Sequence, residues 1–538
     1  MSPRPLGIAD LLTAAAAESP ERLALVEAGG RSLTWAGLET EVARVATGLG
    51  HAGVVAGHRV AVAVTNRLEF VTAYLAALRV QAVAVPVNPR ATGTEIARML
   101  ADSGARLVVA DDVAVDAVRE ALGYVDRALA GELDLGRLDA ELLTRTVRPL
   151  LYVVGTPAAG ERSYDDLRAA EPRELPPLLD PERLAVLLYT SGTSGRPRGA
   201  MLTHRALVAN IEQVAQVDPP MIHGDDVVLG VLPLFHVYGL NAVLGAALRS
   251  RAKVLLVDRF DPQGTLDLIE DEACSVVPVA PPVVAYWMRE PALEERLGPV
   301  RLLLSGSAPL DPALVVAFTE RTGIPVHQGY GLTEAAPAVT STLCSRALEP
   351  GSVGAALPGI EVRVVDDDGL PAEPGDPGEV HVRGANLFSG YWPDGADGPD
   401  ADGWWATGDV GLLSPAGDLT LVDRRKELVI VSGFNVYPVE VEDTIAEVDG
   451  VADVAVIGVP DETSGEAVVA YVVPTADADP EKLAERVRQR CADRLAGFKQ
   501  PSRVEIVGEL PHTPTGKVQK GRLRTIERRR ALGLLEER

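Results

Sequence analysis

Several things are scarce in this chain. Its 538 residues include only three cysteines, Cys274, Cys344 and Cys491, widely separated and without a CxxC pair or a histidine-rich neighbourhood. That excludes a disulfide framework and a thiolate metal site and fits a reducing, cytoplasmic setting. No apolar run approaches the ~20 residues a membrane-crossing helix needs, and the one apolar stretch near the N-terminus is broken by Asp10, so a soluble chain is expected. Positive charge is also short: 51 Lys and Arg face 76 Asp and Glu, a net charge of −25. That balance opposes broad attraction to nucleic acid or anionic membranes. Aromatics are 4%, yet hydrophobic residues at 47% and charged ones at 24% are ordinary globular usage and exclude wholesale disorder. The length suits two to four domains at roughly 150 residues each.

What is present is an alternation of two periods. RLALVEA (22–28), HRVAVAVT (58–65), AVAVPV (82–87) and RLVVA (106–110) read as strands. Between them, 34–49, 67–78 and 92–100 carry apolar residues at helical spacing, as with Trp35, Leu38, Val42, Val45 and Leu49. Strand and helix in repetition predict an α/β fold with a doubly wound parallel sheet. AKVLLVD (252–258), VRLLLSG (300–306) and IPVHQGY (324–330) continue it, and 113–150 reads as a peripheral helical insertion. From about Gly351, short strands punctuated by Gly, Pro and Asp predict a small β subdomain. A third style after Asp423 predicts a small α+β domain, with a helix opened by Asp479 and Pro480 and closed by Gly497. The expected division is 1–422, a hinge at 423–427, and 428–538.

The densest chemical signal is LAVLLYTSGTSGRPRGAMLTHRALVAN. A buried-type strand enters a loop of Thr190, Ser191, Gly192, Thr193, Ser194 and Gly195, followed by Arg198 and a helix near Thr203. Glycines let backbone amides wrap an oxyanion, hydroxyls add donors, and Arg198 adds charge. The pattern suits a polyphosphate. It does not fit a Walker loop, whose lysine is missing.

YTSGTSGRPRG also resembles the phosphate motif of the adenylate-forming enzymes, the superfamily of acyl-CoA synthetases, luciferases and peptide-synthetase adenylation domains. Seven further motifs follow in that family's order: PLFHVYGL (233–240), SGSAPL (305–310), QGYGLTE (328–334), GEVHVRG (378–384), TGDVG (407–411), VDRRKELVIVSGFNVYPVEVE (422–442) and PTGKVQK (514–520). The resemblance implies activation of a carboxylic acid with ATP to acyl-AMP and pyrophosphate, then transfer to a thiol. SGFNVYPVEVE resembles fatty acyl-CoA synthetases more than peptide-synthetase domains, implying CoA as acceptor.

By the same resemblance, Lys517 contacts the α-phosphate and the reacting carboxylate, where one charge pair at 4 Å is worth about 4 kcal/mol at an effective dielectric of 20. Glu334 resembles the Mg²⁺ ligand, a single carboxylate acting together with substrate phosphates. Thr333 contacts phosphate, Gln328, Gly329 and Gly331 share its motif, and Tyr330 stacks beside adenine, which Gly306, Ser307 and Ala308 line. Asp409 and Arg424 meet the ribose, and Lys426 matches the hinge. His236 stands at the mouth of the acyl pocket. Ser432, Gly433 and Arg259 are candidates for CoA. The run VVPVAPPVVAYWM (276–288) either walls the acyl tunnel or is a buried strand-to-helix passage. Arg198 departs from the family pattern, where lysine is usual; charge survives but a planar fork places its donors differently.

The expected reaction is medium- or long-chain fatty acid:CoA ligation with ATP and Mg²⁺. The alternatives are an acyl-AMP ligase that loads an acyl carrier protein, an aryl-acid:CoA ligase, and a silent nucleotide-binding protein on the same fold. Retention of Lys517, Glu334, Asp409 and Thr193 argues against the last. Oligomeric state is not legible.

Overall fold

The computed structural model describes residues 5–131, 144–190, 197–308, 310–349, 351–366, 368–424, 427–431, 434–461, 465–495, 497–513 and 516–531. Two seven-stranded sheets dominate the N-terminal part. One runs Arg162–Ser163, Leu150–Val153, Leu107–Ala110, Arg59–Ala63, Val83–Pro86, Leu184–Thr190, Arg198–Thr203. The other runs Val326–Gln328, Leu302–Ser305, Val276–Val279, Val227–Gly230, Lys253–Leu256, Leu23–Glu27, Ser32–Thr34. Each is parallel except for an antiparallel hairpin at one edge, Leu184–Thr190 with Arg198–Thr203 and Leu23–Glu27 with Ser32–Thr34. The α/β expectation holds, but the first strand does not join its sequence neighbours. It crosses to the second sheet, beside Lys253–Leu256.

The two-residue period of the strands explains how one chain covers both faces of both sheets. Val60 and Val62 face the core shared with the second sheet, whereas Ala61 and Ala63 face the helices Gly93–Ser103 and Val115–Leu129. In the second sheet, Leu302 joins the shared core and Leu303 packs toward the helix Pro312–Thr322, whose Phe318 is fully buried. Helix Trp35–His51 opens on Thr34, whose hydroxyl accepts from Gly37 N at 3.1 Å, an ordinary N-cap.

The 113–150 segment is not a peripheral insertion. Helix Val115–Leu129 buries Val118, Ala121, Leu122 and Val125 against the first sheet, and Leu150–Val153 is one of its strands. The remainder, 132–143, lies outside the described residues.

The expected β subdomain is a four-stranded antiparallel sheet, Ile360–Val365, Gly378–Gly384, Trp404–Leu413, Leu419–Arg424. A small C-terminal domain follows. Its sheet contains Val429–Val431, Phe434–Val436, Val451–Asp461, Gly465–Pro474 and Arg503–Ile506. Helices Pro438–Ala446 and Pro480–Arg494 cover one face of this sheet, and Lys520–Ala531 covers the other. No described helix is long and apolar enough to cross a membrane.

Candidate active site

Parallel strands end their hydrogen bonding at one edge, and ligands of open α/β sheets sit beyond those carboxyl ends. The motif residues of the second sheet cluster there. Ser305 ends one strand and Gln328 its neighbour, in register. Gly306 N then bonds Val279 O at 3.3 Å, and Ser307 takes φ +79°, a left-handed conformation rare for serine. A side chain at Gly306 would stand 3.0 Å from the Tyr238 ring, so its glycine lets the tyrosine lie against the backbone. Ala308 follows in the same bend. Gly329 and Gly331 carry the chain past Thr340 and Pro337; a Cβ at Gly331 would meet Pro337 O at 2.6 Å.

His236 is fixed by backbone and by one buried asparagine. After strand Val227–Gly230, Asn66 from the first sheet donates to Gly230 O at 3.0 Å and Leu232 O at 2.8 Å and accepts from Leu234 N at 2.9 Å. A π-helical turn, Tyr238–Gly245, follows. His236 Nδ1 accepts Tyr238 N–H at 3.3 Å, which leaves Nε2 carrying the proton of a neutral ring. Burial, and secondarily the charge of Lys517, pull the imidazole down to about 4 from its ordinary 6.5. Lys517, whose charge is felt at this ring, belongs to a turn of the C-terminal domain. Its turn is tied by Thr513 N to Lys517 O at 2.7 Å and by Lys517 N to Thr513 Oγ1 at 3.0 Å. The turn also abuts the first turn of helix Pro281–Trp287: a Cβ at Gly516 would lie 2.7 Å from Pro282.

Glu334 lies in a short 3₁₀ turn, Thr333–Ala335, and is 8% exposed. Asn241 holds the turn from below, donating to Ala336 O at 2.6 Å. Oε1 of Glu334 accepts the Tyr391 hydroxyl at 2.6 Å. The residues thus fit a divalent cation in the usual Mg²⁺ manner, one carboxylate with an oxygen to spare and the rest from substrate. Among the described residues no cluster of three or more His, Cys, Asp or Glu offers a fully protein-built metal site.

Tyr330 is buried, and its hydroxyl donates to Asp409 Oδ2 at 2.5 Å. Asp409 in turn stands in register opposite Arg424 across the antiparallel strands; the Arg424 side chain lies outside the described residues. Thr190 pairs with Arg198 where the hairpin opens. Arg198 Nη2 meets Asp397 at 2.7 Å, with its guanidinium carbon 3.7 Å from the centre of the Tyr391 ring. The helix expected near Thr203 is found as His204–Ala215, capped by Thr203, and it is preceded by a strand the sequence reading did not include, Arg198–Thr203, which pairs antiparallel with Leu184–Thr190. Ser191, Gly192, Thr193, Ser194 and Gly195, together with Lys426, Ser432 and Gly433, lie outside the described residues.

Arg259 is exposed, in the connection before helix Pro262–Asp271. Neighbouring Phe260 packs on Tyr286 and Trp287 at 6.0 and 6.2 Å. The 276–288 run is chiefly a strand-to-helix passage, with Val283, Val284 and Trp287 in the core behind the second sheet. Tyr391, Asp397 and Asn66 were not singled out by sequence, and Tyr238 only as part of PLFHVYGL. The partners of the first three are 57, 199 and at least 164 positions away, so no local pattern carries them.

The model of the AMP-binding enzyme family matches residues 12–392, and that of the AMP-binding enzyme C-terminal domain matches 440–517. The chain is 34% identical to 4-coumarate–CoA ligase 5 of Oryza sativa subsp. japonica over 94% of this chain and 92% of that one. It is 33% identical to the long-chain-fatty-acid–CoA ligase of Bacillus subtilis (strain 168), over 95% and 93%. Among solved structures, ATP-bound MatB from Rhodopseudomonas palustris is similar at a TM-score of 0.83, with 32% identity, covering 96% of this chain and 98% of that one. The apo form of MatB, at equal identity and coverage, gives 0.72. The chain belongs to the AMP-binding enzyme family and is, in class, an AMP-forming acid–CoA ligase.

Proposed function

We propose that the substrate is an apolar carboxylic acid, a medium- or long-chain fatty acid, activated with ATP and Mg²⁺ and passed to CoA by a cytoplasmic enzyme. The observation that carries the reading is the packing of the Lys517 turn on the helix Pro281–Trp287, where a Cβ at Gly516 would lie 2.7 Å from Pro282. It supports an arrangement ready for adenylation, as does the better match to an ATP-bound than to an apo relative. Partly buried apolar side chains packed against the shared core include Phe235 and Tyr238 beside His236 in the chain, and Ala280 and Leu304 at the carboxyl ends of neighbouring strands of the second sheet. An apolar tail suits such a lining. An aryl acid is the second reading, favoured by the ring of Tyr238 lying against Gly306 and by the similarity to a coumarate ligase.

In this reading the acid's carboxylate attacks the α-phosphorus of ATP, an O–P bond forms, and the bond to the β-phosphate breaks to release pyrophosphate. Neutral His236 donates from Nε2 to the carboxylate and orients it without adding charge. Lys517 offsets the repulsion of two meeting anions. Glu334 would hold Mg²⁺, which when bound neutralises charge on the phosphates. Tyr330 wedges beside adenine and, through its hydroxyl, fixes Asp409 for the ribose together with Arg424. Gly306, Ser307, Ala308, Gln328, Gly329 and Gly331 line the base, Thr333 meets phosphate, and Arg198 serves the β/γ-phosphates with Thr190 and the loop 191–195.

The chain divides at 1–422 and 428–538, pivoting at Lys426, so that Lys517 withdraws and the CoA thiol reaches the acyl carbon, expelling AMP. Ser432, Gly433 and Arg259 contact CoA. An acyl carrier protein is the alternative acceptor. Pyrophosphate release across a panel of straight-chain and aryl acids, with and without CoA, tests the reading. Aryl preference would overturn the fatty-acid assignment, and release without thioester formation would overturn CoA as acceptor.

A further inference from the structure

Among the described side chains with no role in the reaction as written, Tyr391 has contacts that converge on the phosphate site from two directions. Its hydroxyl reaches Glu334 Oε1 at 2.6 Å, while its ring face carries the Arg198 guanidinium at 3.7 Å from the ring centre. The backbone around it is stitched to both neighbours. Phe388 N donates to Glu334 O at 2.9 Å, and Asn386 Nδ2 donates to Ala335 O at 2.7 Å. On the other side, Ser389 N to Met201 O at 2.9 Å, Met201 N to Gly390 O at 3.1 Å and Trp392 N to Gly199 O at 2.8 Å zip the segment onto the hairpin strand that bears Arg198. Phe388 meets the Tyr391 ring edge-on at 5.0 Å. The ring is thus clamped between the carboxylate and the cation.

We propose that Tyr391 is a positioning residue serving both charges at once, its hydroxyl fixing the Glu334 carboxylate and its ring face seating the Arg198 guanidinium. A carboxylate on a short turn can rotate about its terminal bond. One donor on Oε1 selects a single orientation and leaves Oε2 presented in a fixed direction. A phenol, with an ordinary pKa of about 10, is a donor at neutral pH. The guanidinium needs a different kind of support, because it stands on a long side chain that is partly exposed. A planar cation stacks on an aromatic face, and Asp397 at 2.7 Å sets its rotation within that plane. This gives a physical reason for arginine at position 198 in place of the usual lysine: it is shaped for the tyrosine beneath it.

The inference rests on the reading of Glu334 as the metal carboxylate and of Arg198 as a phosphate contact, and the test separates the two. ATP is titrated calorimetrically into the enzyme without any acid substrate, once in EDTA and once in excess Mg²⁺, so that binding rather than turnover is read. Tyr391→Phe keeps the ring and loses the hydroxyl. It should bind ATP in EDTA within about twofold of the parent, while the affinity gained on adding Mg²⁺ falls about tenfold, the size of one hydrogen bond to a charged group. Tyr391→Leu removes the seat as well and should also weaken ATP in EDTA by about fivefold or more.

A tyrosine that merely filled space would lower both affinities together and leave the Mg²⁺ gain unchanged. That result, or a full Mg²⁺ gain in Tyr391→Phe, overturns the inference. Glu334→Gln is the companion. If it keeps the Mg²⁺ gain, the metal assignment of Glu334 fails; if it loses the gain while Tyr391→Phe retains it, only the role of Tyr391 fails. Should Tyr391→Leu not fold, Tyr391→Phe decides the hydroxyl's part alone.

Discussion

His236 offers a sharp test, because its environment separates it from an ordinary histidine by a measurable amount. Burial and the Lys517 charge bring it from 6.5 to about 4, corresponding to about 3 kcal/mol between its two protonation states. At pH 5.5 it should be about 3% protonated, whereas an unperturbed ring would be about 91% protonated. Adenylation measured as pyrophosphate release, in wild type and in His236→Gln from pH 5.5 to 8, reads this difference. The ratio of their kcat/KM values for the acid should stay constant within about twofold, since no titration of His236 falls in the window. A ratio that bends by more than about fivefold with a midpoint near 6.5 would refute a buried neutral imidazole.

Linkage fixes the sign of the stability effect. The unfolded chain binds a proton that the native site refuses, so His236 leaves stability untouched above about 6.5 and erodes it as pH falls toward about 4. His236→Gln should therefore lose less thermal stability than wild type on acidification. Because burial is the larger cause and Lys517 the smaller, Lys517→Ala should raise the His236 titration by less than half the gap, read by nuclear magnetic resonance of labelled histidine. No change would mean that the Lys517 turn does not rest at His236 in solution.

Other outcomes follow from the same geometry. Lys517→Ala should fail to adenylate yet still convert supplied acyl-AMP to thioester, whereas Lys426→Pro, with φ fixed near −65°, should adenylate and lose the thioester step; equal loss of both steps in both variants removes the two-orientation account. Arg198→Lys should keep pyrophosphate release within about tenfold, since charge survives while the planar stack does not, and a loss of several hundredfold would show that the fork itself is required. Gly331→Ala places a methyl 2.6 Å from Pro337 O and should raise the KM for ATP and the acid together, by at least about tenfold, while a wild-type KM would mean the turn yields freely.

The periodicity of the strands was legible because burial on both faces writes itself into nearly continuous Val, Ala and Leu, and the helix beginning at Thr34 because its apolar spacing is local. The strand Arg198–Thr203 was not. RGAMLT is preceded by Arg196 and Pro197 and reads as loop, and only its ladder to Leu184–Thr190 makes it a strand. Nor does Leu25 reveal that its partner is Val254, because parallel pairing between strands more than two hundred residues apart leaves no mark on either segment. At the site, motif order pointed to Glu334, Asp409 and Lys517, whereas Tyr391 and Asn66 act through contacts that only the folded topology creates.

The zipping of residues 389–392 onto Arg198–Thr203 bears on more than the phosphate site. Arg198–Thr203 is the last strand of its sheet, and such a strand presents a free row of amides and carbonyls on which other chains can template. Here that row is taken up by a segment nearly two hundred residues downstream. During synthesis the hairpin therefore emerges long before its cover does, and a chain cut short of Ser389 would retain both parallel sheets with this border open. Self-association is the expected fate of such a fragment, and the segment that organises the phosphate site also acts as the seal that keeps the completed chain from sticking to its own copies.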